Sequence, residues 1–125
     1  MAIETHKDLD VWQLAILLAE DSYRLTAHFP KDELYGMTSQ IRRASVSIPA
    51  NIAEGFGRDQ TGAYIQFLRI AQGSARELET HLILAVKLAL APEAEVRPVQ
   101  EKCDRVGRML RALIRSLEAR RTANE

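Results

Sequence analysis

Two sets of polar side chains in this sequence are spaced as if to share a surface. Gln40, Arg43, Ser47, Asn51, Glu54 and Arg58 recur at steps of three and four residues. On a helix they fall within about a quarter of the circumference. Such a row of amide, guanidinium, hydroxyl and carboxylate has three uses. It can hydrogen-bond to a neighbouring subunit, hold a ligand such as an RNA phosphate, or lie solvated around a Glu54–Arg58 pair.

Arg105, Arg108, Arg111 and Arg115 form the second set, with Arg120 and Arg121 beyond them. One helix face of arginines can track phosphates. Glu101 with Arg105 and Asp104 with Arg108 stand in the favourable i,i+4 order, so a solvated, salt-bridged face is the competing reading. No exposed aromatic platform accompanies the stripe, which weakens its case as a single-strand binder.

Catalytic chemistry finds little material. His6, His28 and His81 are scattered, and Glu77 with His81 one turn on lacks the paired Glu-x-x-His motifs of a di-iron bundle. Cys103 falls on an apolar seam, where a thiol behaves as a small core residue. Gly55-Phe56-Gly57 lacks the Gly-Lys-Ser/Thr ending of a phosphate-binding loop and follows no strand. No catalytic residues, metal or cofactor are expected.

The elements that carry these residues are helices. Hydrophobic residues make up 46% of the 125 and charged ones 27%, with few glycines and prolines, so one soluble all-α domain over 1–125 is expected. The periodicity predicts helices over about 8–27, 34–56, 61–90 and 94–120, joined by short connections. That pattern gives an antiparallel up-down-up-down four-helix bundle. The second helix has a core seam of Met37, Ile41, Ala44, Ile48 and Ile52, with a kink or a local break expected at Pro49. In the third, Gly73 suggests close approach of a neighbouring helix. The fourth carries Val99, Cys103, Val106, Leu110, Leu113 and Leu117 in coiled-coil-like spacing.

The first helix has two apolar stripes. Leu9, Trp12, Ile16, Ala19 and Tyr23 form one; Val11, Leu14, Leu18 and Leu25 form the other, the candidate oligomer face. Asp8 or Asp10 is its expected cap.

Net charge is zero but unevenly spread. Residues 1–36 hold seven acidic side chains against three basic ones, and 97–121 hold eight basic against three acidic. The two ends can pair within or between subunits, or leave a basic face for a polyanion. No apolar run reaches the ~20 residues of a membrane span, and the N-terminus has no signal-peptide pattern. A single cysteine fits a reducing, cytoplasmic setting.

VWQLA at 11–15, Tyr23 with Thr26, Phe29-Pro30, ELYGMTSQIRRASVSIPANIAEGFGR at 33–58 and FLRIAQGSARELE at 67–79 together resemble the 23S rRNA intervening-sequence protein family. The match spans roughly residues 9–90 and is weaker in the fourth helix. The resemblance implies a four-helix bundle assembling into a homo-oligomeric, pentameric ring. It is also distantly similar to accessory proteins of diversity-generating retroelements, which bind a reverse transcriptase and nucleic acid. By that analogy the expected partners are further copies of the chain and RNA, DNA or a nucleic-acid enzyme. A structural or protein-interaction scaffold is the alternative.

Overall fold

In a computed structural model, residues 2–123 are described. They form α1 (Asp10–Thr26), α2 (Ser39–Phe56), α3 (Thr61–Lys87) and α4 (Glu93–Ala123), with no strand among the described residues. Each helix packs on the next, and α4 returns to α1 to close a four-helix bundle. Direction is set by individual contacts. Gly55 lies against Tyr64 and Phe67 whereas Ser47 meets Ser74, so α2 and α3 run antiparallel. Arg69 reaches Glu118 and Ala75 reaches Cys103, which makes α3 and α4 antiparallel as well.

One core runs through all four helices. Leu18, Ile41, Ile48, Ile52, Leu68, Leu78, Leu82, Val106 and Leu110 are fully enclosed. Burying a Leu or Ile in this way contributes about 1.5–3 kcal/mol relative to exposure. Buried hydroxyls are satisfied locally. Ser22, Thr26 and Ser45 donate to the carbonyls of Leu18, Ser22 and Arg42 at 2.8–2.9 Å.

The first helix departs from expectation on two points. Val11, Leu18 and Leu25 are buried and Leu14 is half-buried against them, so this stripe is the chain's own core and not a face for another copy. The outer apolar residues are instead Ile16, half-buried, with Leu17 and Tyr23 exposed. The cap differs too. Leu9 precedes α1 without a side-chain cap, and Asp8 serves the preceding turn, accepting from the backbone of Glu4 and Thr5 at 2.9 and 3.0 Å.

Helix boundaries shift for local reasons. Residues 31–38 form a 3-10 turn and then a wide π turn, broken at Gly36 (φ −109°, ψ −113°), so α2 begins at Ser39 rather than 34. The expected break at Pro49 is not there: α2 continues through the buried ring to Phe56. At the other end α3 stops at Lys87. Ala89 takes a left-handed φ of 55°, with Leu90 N–H bonded to the Ala85 carbonyl and Ala89 N–H to Val86. This is a Schellman closure in which alanine occupies the position glycine usually fills.

Glycine at 73 does not mark close packing. A Cβ built there meets nothing within 4 Å, whereas one at Gly55 would sit 2.7 Å from Phe67 Cβ and 3.1 Å from the Tyr64 carbonyl. The tight crossing is therefore between the end of α2 and the start of α3.

Candidate nucleic-acid interface

The polar row on α2 divides into parts with different work. Ser47 Oγ bonds Ser74 Oγ across to α3 at 2.8 Å, and Asn51 Nδ2 donates to Ser47 O and Oγ at 2.8 and 3.0 Å. These half-buried groups knit α2 to α3 within one chain. Glu54 and Arg58 form an exposed pair at 2.6 Å, and the same guanidinium lies 4.8 Å over the Phe67 ring. Gln40 and Arg43 remain exposed. The row is thus partly an internal seam and partly a solvated face.

Arg42, on another side of α2, ties the bundle to α1. Its Nε donates to Thr26 Oγ1 at 2.8 Å and its guanidinium lies 4.6 Å from the Tyr23 ring centre.

All four arginines of the α4 set are exposed. Arg108 pairs with Asp104 at 3.0 Å, but Glu101 does not reach Arg105. Arg105, Arg111 and Arg115 form no ion pair among the described residues. The four do not all share one groove. Arg108 and Arg111 border a groove between α3 and α4, and Arg105 and Arg115 do not.

That groove has a volume of about 360 Å³. Arg76 and Glu79 line it from α3, and Cys103, Asp104, Gly107, Arg108 and Arg111 line it from α4. Arg76 escapes single-helix reasoning. It shares a polar row on α3 with Gln72 and Glu79, but only the antiparallel α3–α4 packing makes that row a neighbour of the α4 stripe. Cys103 is buried, its thiol donating to the Ala75 carbonyl at 3.3 Å. Burial, reinforced by Glu79 and Asp104, pushes that thiol up to about 12. It stays neutral and unreactive, the character of a core residue rather than a nucleophile.

Other charged and titratable groups serve the fold. Lys102 pairs with Asp21, half-buried between α4 and α1, and Arg69 pairs with Glu118 at 2.9 Å. The basic end thus meets the acidic start at least once within a single chain. At the end of the bundle burial raises the Tyr64 phenol, an effect opposed by nearby Arg120. His6 packs edge-on against Trp12, and the ring nitrogens of His81 are buried without hydrogen-bond partners. Among the described residues no three His, Cys, Asp or Glu side chains stand close enough to hold a metal ion. No helix among them is long and apolar enough to cross a membrane.

Fold and surface together define an all-helical bundle with a groove lined by three arginines and two carboxylates. The chain belongs to the 23S rRNA-intervening sequence protein family, which it matches over residues 7–112. It is similar in fold to the crystal structure of a protein of unknown function from the S23 ribosomal protein family of Bacteroides thetaiotaomicron. The TM-score is 0.78 at 23% identity, over 83% of this chain and 97% of that one. Among curated proteins, none matches the chain.

Proposed function

We propose that this chain is a non-enzymatic, homo-oligomeric bundle that binds RNA through the arginine surface of α4. The observation that carries the reading is the exposure of Arg105, Arg108, Arg111 and Arg115 on one helix, with only Arg108 neutralised by a carboxylate among the described residues. Guanidiniums left unpaired in this way attract phosphates and release counterions on binding. The family's name, which ties it to intervening sequences of ribosomal RNA, supports the choice of polyanion. A binding role beside a nucleic-acid enzyme, in the manner of retroelement accessory proteins, uses the same surface.

Self-association is supported by a shallow apolar surface on α1 around Ile16, Ala19 and Tyr23, and by exposed Leu17 beside it. A ring of five copies would repeat the arginine stripe and build a field that one neutral chain lacks.

Titration with a structured RNA at several salt concentrations tests the binding. With three or four phosphates engaged, log K should fall against log salt with a slope of about −2 to −4. No binding at low salt, or an affinity indifferent to salt, overturns the reading. Light scattering tests the assembly: a mass that stays at 14.1 kDa across concentrations refutes it.

A further inference from the structure

Three guanidiniums from two helices converge on the α3–α4 groove, and the packing of the bundle gives no reason to gather them. Arg76 comes from α3, and Arg108 and Arg111 from α4. Asp104 neutralises Arg108, while Arg76 and Arg111 take part in no ion pair among the described residues. Glu79 shares the groove, but it too is in no ion pair. With the carboxylates of Glu79 and Asp104 in the same lining, the groove keeps a net charge of one positive unit, so it favours an anion placed toward Arg76 and Arg111 and away from Glu79.

The floor is an independent observation. Gly107 sits in the middle of α4, where glycine is a poor helix residue, and a Cβ added there would meet nothing within 4 Å. No helix packs against it. Its missing side chain instead opens the groove, and Cys103 closes the bottom with a thiol already engaged by the Ala75 carbonyl.

We propose that this groove seats a phosphodiester segment of RNA, with Arg76 and Arg111 gripping the phosphate from opposite walls and Gly107 clearing the floor. The inference rests on the RNA reading above and adds to it a contact residue on α3 and a defined place of contact. Two planar forks on facing helices can hold one phosphate bidentately, whereas a stripe on a single helix offers only one-sided contact.

The test uses the full chain and a fluorescent RNA hairpin at low salt, with binding and thermal melting measured on each variant. Arg76→Glu should weaken binding roughly tenfold and make the salt slope shallower by about one. Arg76→Lys should keep the slope and lose part of the affinity, because the charge survives without the fork. Gly107→Ala should raise the melting temperature and yet weaken binding about threefold, since a methyl group improves the helix but fills the floor. Opposite signs of that kind cannot arise from a damaged fold. If either Arg76→Glu or Gly107→Ala binds as the unaltered chain does, the groove is not the seat. Loss of binding in an Arg108→Glu, Arg111→Glu, Arg115→Glu variant would then leave the broader RNA reading standing. Failure of the unaltered chain to bind would overturn that reading as well.

Discussion

Gly55 and Gly107 both lie inside helices, yet the two helix interfaces they mark are built on opposite terms. At Gly55 the α2–α3 crossing is so close that a Cβ would sit 2.7 Å from Phe67. Here glycine is a packing requirement, and the hydroxyls of Ser47 and Ser74 join the same two helices about two turns away. At Gly107 the α3–α4 interface opens into a groove, and a Cβ would touch nothing. Gly73 likewise weakens its helix without admitting a neighbour, but Gly107 differs in lining a groove with charged walls. The first region is explained by folding alone and the second is not.

The largest effect on stability is expected at the tight crossing. Gly55→Ala should destabilise the chain by about 1–3 kcal/mol in urea titrations, because overpacking against a neighbouring helix outweighs the better helix propensity. An unchanged midpoint would show that α2 and α3 can move apart freely, and the contrast with Gly107 would lose its meaning.

Cys103 probes the floor of the open interface. Its thiol is pushed up to about 12 from an ordinary 9.0. Below pH 9 it is protonated in both folded and unfolded chains and stability is unaffected. Between these values the unfolded thiol ionises and the buried one does not, so stability falls as pH rises. The loss attributable to Cys103 approaches about 1.4 kcal/mol per pH unit. Denaturation curves of the unaltered chain and Cys103→Ala, compared from pH 8 to 11, should converge as pH rises. Parallel curves would mean that the thiol is more open to water than its contact with Ala75 implies.

A smaller gain is expected at Gly73, exposed in the middle of α3 with open space around it. Gly73→Ala should stabilise the chain by about 0.5–1 kcal/mol. A loss of stability at concentrations where light scattering shows assembly would reveal that another copy packs there. The smallest effect belongs to the α3 terminus. Ala89→Gly should add about 0.5 kcal/mol, since glycine relieves the left-handed φ at some cost in unfolded-chain entropy. Destabilisation there would indicate that the Ala89 methyl makes a contact worth more than that strain.

Much of the architecture was legible from spacing alone. The seams through Ile41, Ala44, Ile48 and Ile52, and through Val99, Cys103, Val106, Leu110 and Leu117, are buried as their periodicity requires. Periodicity could not say which apolar stripe of α1 faces inward, because both have helical spacing and similar hydrophobicity. Nor could it stop α3 at Lys87, since Leu88, Ala89 and Leu90 continue an apolar helix-forming run. The closing signal lies in the backbone of Ala89, a residue with no preference for that conformation.

Hydrophobic spacing along the chain therefore determined the helical class, the number of helices and most of the core, because those follow from local periods of three and four residues. The polar row on α2 and the arginines on α4 were visible for the same reason. Only the tertiary structure decided which of them meet. It turned Ser47 toward Ser74, left Arg105 outside the α3–α4 groove, and brought Arg76, Gly107 and Arg111 into the lining of that one groove. Residues thirty or more positions apart share a surface only through the relative placement of two helices, and no pattern within either helix encodes that placement.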